Sequence, residues 1–177
     1  VTAELGQDAI DAGQISTALA GVLVLIFMLL AYGFLFGGIS VVAVSLKNVL
    51  IMAAMTASGA ALTLPGVAGL ILTLAVALDA NVLIYERMRD EIKAGRSPAI
   101  AIDAGFSRAM VTIFDANITH LGAALIMLSL APPGPVKGFA WTLTIGVFTS
   151  VFTAVLITQV LVAWWFRSTR PKKLPIT

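Results

Sequence analysis

From Ile15 to Phe36 the chain carries no charged side chain. A run of that length is enough to cross a bilayer as a helix, which takes roughly 20 apolar residues. Four more apolar stretches follow, roughly at 39–62, 67–85, 111–130 and 138–166, the first three each holding one charged residue. Inside hydrocarbon every backbone N–H and C=O must be satisfied within the protein, so only helices or closed barrels span it. Runs this long and this continuously apolar select the helix. Composition agrees: 59% of the residues are hydrophobic and 11% charged, against about 25% charged in a soluble domain. The expected fold is all-α, a polytopic membrane helix bundle with about five transmembrane helices filling residues 15–166.

Punctuation divides the spans. Gly33, Gly37 and Gly38 suit a turn near the end of the first. Thr63, Pro65 and Gly66 separate the second from the third, and Pro132-Pro133-Gly134-Pro135 separates the fourth from the fifth. Residues 86–108 form the one charged interior stretch. Its apolar Ala99, Ile100, Ala101, Ile102, Ala104 and Phe106, with breaks at Gly95 and Gly105, predict a short helix lying in the membrane interface. Residues 1–14 are an acidic lead-in with Glu4, Asp8 and Asp11, and 167–177 a basic tail. Nine of the eleven Lys and Arg residues fall in the 86–108 stretch or the tail. Two spans separate those regions, so they share one side, and the positive-inside rule makes it cytoplasmic. Trp164 and Trp165 suit an interfacial anchor. The chain begins at Val1 without a Met, which reads as a piece of something longer.

Against this background the tripeptide Asp-Ala-Asn occurs twice, at Asp79-Ala80-Asn81 and Asp115-Ala116-Asn117. A carboxylate inside a bilayer costs several kcal/mol or so and by default marks function. Asp79 lies seven residues before Glu86, and Asp115 seven residues after Arg108. Seven residues of helix rise about 10 Å, nearly two turns. The two carboxylates are therefore expected at similar depth toward the cytoplasmic side, Asp79 sharing a face with Glu86 and Asp115 with Arg108. Thr112 and Thr119 fall on the Asp115 stripe, whereas Asn81 and Asn117, two residues on, point elsewhere. Asp79 reads as a proton carrier or as a hydrogen-bonded packing residue. Asp115 reads as a functional carboxylate or as a helix N-terminal acid favoured by the dipole. Asn81 and Asn117 suit interhelical hydrogen bonds, as does Gln159. His120 suits a buried neutral imidazole or a relay. Lys47, near the inner end of the second span, suits a side chain snorkelling to the interface. The spacings Glu86–Asp90 and Arg87–Glu91 read as helix-surface charge patterning.

Several classes are excluded. There is no cysteine and only one histidine, so thiolate and histidine-cluster metal sites are out. A net charge of +2 is too small to point to nucleic acid. No catalytic residue, metal or cofactor is assigned; protons are the coupling ion on the proton-carrier reading of Asp79.

Longer motifs carry a resemblance. The segments Leu5-Gly6-Gln7-Asp8-Ala9-Ile10-Asp11-Ala12-Gly13, Leu62-Thr63-Leu64-Pro65-Gly66-Val67-Ala68-Gly69, Leu78-Asp79-Ala80-Asn81-Val82-Leu83-Ile84-Tyr85-Glu86-Arg87, Gly105-Phe106-Ser107-Arg108-Ala109, Asp115-Ala116-Asn117-Ile118-Thr119 and Gly134-Pro135-Val136-Lys137-Gly138-Phe139-Ala140 follow one another in order. Together they resemble the SecD/SecF family of the RND superfamily, on its SecD side. The resemblance implies helices two to six of a SecD subunit in the bacterial cytoplasmic membrane, with residues 1–14 periplasmic and the C-terminus cytoplasmic. It implies a part in preprotein export driven by proton motive force, with SecF, the SecYEG translocon, YajC, YidC, the preprotein and membrane lipids as partners. The family's intramembrane aspartate maps onto Asp79, with Asn81, Asp115, Asn117 and Thr119 as supporting polar residues. Two positions depart from the pattern: His120 stands where threonine is more usual, and Lys47 is unusual for its helix. Two alternatives stay open, another RND-type proton-driven exporter and an intramembrane aspartyl protease using Asp79 and Asp115. The Gly-x-Gly-Asp context of such proteases is absent, since Asp79 follows Val76-Ala77-Leu78.

Overall fold

A computed structural model describes residues 3–60 and 62–175, with side chains from Gly6 onward; Glu4 of the acidic lead-in and Leu5 of the first motif lie outside the described side chains. The elements are α1 (Ala3–Ala57), α2 (Leu64–Lys93), α3 (Pro98–Leu130), α4 (Pro135–Phe152), a π-helical segment (Thr153–Thr158) and α5 (Gln159–Thr169). The molecule is an all-α, multi-span membrane bundle. Four helical stretches are long and apolar enough to cross a membrane: Gly6–Ala57, Leu64–Lys93, Pro98–Leu130 and Pro135–Thr169. Large apolar side chains such as Phe34, Leu30, Ile118 and Leu130 lie on the outside, as a lipid-facing surface requires.

The first stretch is two arms. Gly33 is non-helical, with φ 75° and ψ 179°, a conformation that glycine adopts without a Cβ clash. A Cβ on Gly37 would lie 2.8 Å from the Met28 carbonyl oxygen and 3.0 Å from Leu29 Cα, so the chain folds back on itself directly after Gly33. Gly21, Val24, Leu25 and Met28 of the first arm face Val41, Val44, Ser45 and Asn48 of the second across a cavity of about 110 Å³. The reversal sits at Gly33, earlier than the Gly37–Gly38 end of the expected turn.

The α2 start follows its sequence: Thr63 Oγ1 accepts from Gly66 N at 3.1 Å, with proline in the first turn. The charged stretch 86–108 corrects an expectation. It forms no separate interfacial helix, because α2 continues through Lys93 and α3 starts at Pro98. Only the turn between them, with Gly95 at φ 83°, interrupts the helix. Gly105, expected as a break, is a packing site: a Cβ there would overlap the Met88 side chain and sit 3.3 Å from the Ile84 carbonyl oxygen.

Helix α2 is the centre of the bundle. The chain from α4 to α5 runs parallel to it, Gly69 against Thr142, Gly146 against Thr73 and Thr158 against Asn81. Helix association in lipid gains little from hydrophobicity and relies on close packing of small residues, which this Gly–Thr seam supplies. The π segment has a packing reason. Ser150, Ala154, Thr158 and Val162 are all buried at a spacing of four. A regular helix of 3.6 residues per turn would rotate that stripe away by about 40° per step, and the wider π turn holds it toward α2. Helix α3 packs antiparallel to α2 through Gly105, and the second arm of α1 packs through Phe36, Ser40 and Tyr85. Phe36 also meets Trp165 with ring centroids 5.7 Å apart. Trp165 is thus part of the bundle, and of this pair Trp164 is the exposed one.

Candidate functional site

The two Asp-Ala-Asn copies take the same posture. On α2, Asp79 is exposed and Asn81 buried; on α3, Asp115 is exposed and Asn117 buried. A two-residue step turns the helix by about 200°, so a helix with one packed face must send the acid out when it sends the amide in. Among the described residues no hydrogen bond or ion pair reaches either carboxylate. The contact of Gly105 with Ile84 and Met88 sets the antiparallel register. It brings Asp79 and Asp115 to within about one helical turn of a common level.

The asparagines differ. Asn81 Oδ1 accepts from Thr158 Oγ1 at 2.9 Å, a buried bond from α2 to the π segment. Asn117 Nδ2 donates to the Ile113 carbonyl oxygen of its own helix at 2.7 Å. Its Oδ1 is buried with no partner, as is His120 Nδ1 one turn on. Thr119 is exposed and donates to the Asp115 carbonyl oxygen at 3.0 Å, so its hydroxyl is spent within α3. Gln159, expected to bond in the interior, is exposed.

Two sequence readings need correction. Asp115 is not near a helix N-terminus: α3 begins at Pro98, so Asp115 lies mid-helix and the dipole explanation lapses. The charge at Arg108 marks no boundary, because a helix ends where backbone bonding ends rather than where polarity does. Lys47 does not snorkel. It is fully buried, and its Nζ donates to the Thr73 carbonyl oxygen of α2. The arm reverses at Gly33, and Lys47 falls on the buried stripe with Ser40, Ala43, Val44 and Ile51.

Charged residues beyond the carboxylate pair close the α2 end of the bundle. Tyr32 Oη donates to Glu86 Oε1 at 2.9 Å, and Arg89 bonds the same oxygen at 2.7 Å and the Ala31 carbonyl at 3.3 Å. Arg89 also lies 5.3 Å from the Tyr32 ring centroid. These contacts tie the α1 reversal to α2. Glu91 is buried and bridged by Arg96 at 2.8 Å and Arg108 at 2.5 Å, pinning the α2–α3 turn. Neither Glu86 nor Glu91 is plain surface patterning. Sequence reading also passed over Ser40, whose hydroxyl donates to Tyr85 Oη at 2.9 Å, and Thr158; hydroxyls in apolar helices were the available signal. Among the described residues no group of three or more His, Cys, Asp and Glu could hold a metal ion.

Comparison with known proteins gives a consistent result. The family described as protein export membrane protein SecD/SecF, C-terminal, matches residues 1–168. The chain is 44% identical over 173 residues to protein translocase subunit SecD of Rhodobacter capsulatus, covering 98% of this chain and 31% of that protein. It is 42% identical over 175 residues to subunit SecDF of Brucella abortus, covering 99% of this chain and 23% of that one. Among solved structures it is similar to SecDF, a translocon-associated membrane protein from Thermus thermophilus. That match has a TM-score of 0.90 and 38% identity over 96% of this chain and 23% of the other. The chain spans about a third or less of the length of these relatives. With the family matched along nearly its whole length, the chain belongs to the SecD/SecF family of protein-export membrane proteins, which are transporters and not enzymes.

Proposed function

We propose that this chain is the transmembrane part of a SecD-type subunit that uses proton motive force to assist preprotein translocation, with Asp79 as the proton-coupling carboxylate. The observation carrying this reading is the exposed, unpaired position of Asp79 on an apolar bundle. A carboxylate facing lipid is costly, so a group from another chain is called for to complete its site. SecF is the partner that family membership suggests. SecYEG, YajC, YidC and the preprotein belong to the same reading, with Asn81, Asp115, Asn117 and Thr119 as supporting polar residues. The two arms of α1 each cross the membrane, giving five crossings equivalent to SecD helices two to six. The Gly33 reversal supports this, since both arms lie side by side. Residues 1–14 then lie in the periplasm, and the α2–α3 turn and the basic tail lie in the cytoplasm of a bacterial inner membrane.

The test is Asp79→Asn in the full-length protein, with export measured in membrane vesicles with and without a proton gradient. The gradient-dependent part of export should vanish while co-purification with SecF is unchanged. Gradient-dependent export at the wild-type level overturns the assignment.

A further inference from the structure

Along the outer side of the π segment and α5 runs a groove of about 320 Å³. Leu156, Gln159, Val160 and Ala163 wall it, and Trp164 and Arg167 stand at its end nearest the basic tail. Leu156, Val160, Trp164 and Arg167 are exposed, so the groove is open to the membrane. From Leu156 to Arg167 the helix rises roughly 16 Å, about one leaflet of a hydrocarbon core about 30 Å thick. One end of the groove therefore lies at headgroup level, marked by a tryptophan and a cation, and the other near the midplane.

The tail supplies a second observation, because beyond α5 it folds back onto the bundle. Arg170, at φ 42°, is the one non-glycine residue with positive φ among the described residues, and its N–H donates to the Phe166 carbonyl oxygen at 2.8 Å. Glycine is usual at such a helix end, so an arginine there persists where the surroundings fix the turn. Leu174 does so: it is 1% exposed and belongs to the core cluster of Met28, Tyr32 and Phe36. The Pro175 carbonyl oxygen lies 3.9 Å from the place a Cβ on Gly33 would take. Arg170, Lys172 and Lys173 stay exposed, three to six residues beyond Arg167, and no carboxylate among the described residues pairs with any of the four. We propose that this end of α5 is a binding site for one anionic phospholipid, an acyl chain lying in the groove and the phosphate held by Arg167 and the cations of the docked tail. Four cations directly after a membrane helix suit anionic headgroups, and a tail already folded loses little freedom on binding. A further transmembrane segment of polypeptide is the poorer fit. By the positive-inside rule its cytoplasmic end carries Lys and Arg, which would meet four like charges. That comparison rests on the tail being cytoplasmic, as proposed above; the site uses neither Asp79 nor Asp115.

The experiment places the purified full-length protein in nanodiscs of phosphatidylcholine with a minor fraction of phosphatidylglycerol. The photo-crosslinker p-benzoylphenylalanine stands at Val160 or, as control, at Ile126, which is exposed on α3 and outside the groove. Both leaflets share one composition, so the result does not depend on which side the tail lies. Mass spectrometry of the lipid adducts should show phosphatidylglycerol at Val160 enriched over its share of the bilayer by about five-fold or more, the weight of one cation near an anionic headgroup. At Ile126 the adducts should follow the bilayer composition. Arg167→Gln, and separately Lys172→Gln with Lys173→Gln, should each bring the Val160 share back toward that composition. Leu174→Ser keeps all four charges but frees the tail, and should lower the enrichment about two-fold or more. Asp79→Asn should leave it unchanged, which separates this site from the proton-coupling reading. Adducts at Val160 in proportion to the bilayer, or adducts to polypeptide in place of lipid, overturn the proposal. So does an enrichment indifferent to the charge substitutions or to Leu174→Ser.

Discussion

Replacing Lys47 by methionine should stabilise the protein. The Lys47 ammonium is fully buried and offers three donors. Its Nζ donates to the Thr73 carbonyl, and no carboxylate among the described residues pairs with it. A lysine at the centre of a membrane helix costs about 2.5–3.5 kcal/mol on insertion scales. One hydrogen bond from a charged donor returns about 1.5–3 kcal/mol, leaving roughly 0–2 kcal/mol unfavourable. Methionine has nearly the same length, fills an irregular slot and brings no charge. The Thr73 carbonyl keeps its place in the helical ladder of α2. Lys47→Met should therefore raise the midpoint of thermal unfolding of the detergent-solubilised full-length protein by about 2–4 °C per kcal/mol gained. Lys47→Ala should fall below Lys47→Met, since it adds a void on the buried stripe at a cost of about 2 kcal/mol or more. A drop of more than about 3 °C for Lys47→Met would refute the reasoning. It would mean that the ammonium is held by an anion or further acceptors that its bond to Thr73 does not supply.

Three further outcomes follow from the packing. Gly37→Ala should sharply reduce the yield of folded, monodisperse protein, because its Cβ meets backbone atoms of Met28 and Leu29 that cannot swing aside; about 1–3 kcal/mol or more is at stake. Gly38→Ala, with nothing within 4 Å of its Cβ, is the silent control, and equal yields for both would contradict the reversal at Gly33. A double-mutant cycle of Asn81→Leu and Thr158→Val, read by thermal unfolding, should give a coupling near 0.6 kcal/mol and below about 1.7 kcal/mol; zero coupling removes the bond. Glu91→Gln releases two half-exposed arginines that water can then solvate, so the loss should be about 1–3 kcal/mol. It should show as faster tryptic cleavage at Arg96, and an unchanged rate would argue against the clamp.

What sequence made legible was whatever depends on one helix at a time. Apolar length gave the long spans, Thr63 with Pro65 the α2 start, and the 200° step of Asp-Ala-Asn the split between outward acid and inward amide. What escaped depends on two helices at once. Lys47 looks like a snorkelling residue until the reversal is known to sit at Gly33 and the stripe of Ser40, Ala43 and Ile51 is known to face α2. Gly105 looks like a helix breaker until Met88 is found over it. The charged run 86–108 looks like an interfacial helix because polarity changes at its ends, yet helix continuity is a backbone property to which Glu86 and Arg108 are indifferent. Asp115 inherited the same error. The hydroxyl of Thr158 in an apolar helix is a signal, but its direction toward α2 rests on a π turn, which no periodicity of 3.6 announces.

The split posture of the repeated tripeptide bears on how the bundle is completed. Each copy directs its amide inward, where Asn81 finds Thr158 within the chain and Asn117 leaves a buried acceptor without a partner. Each directs its acid outward, onto a surface otherwise made for lipid. The outward acids stand on adjacent antiparallel helices, within about one turn of a common level. The Asn117 acceptor is closed off inside the bundle and has no partner there. A bundle that balanced its own polar groups would leave neither feature. The unsatisfied chemistry therefore falls into two kinds at two places: carboxyl groups on the outside at Asp79 and Asp115, and a neutral buried acceptor at Asn117.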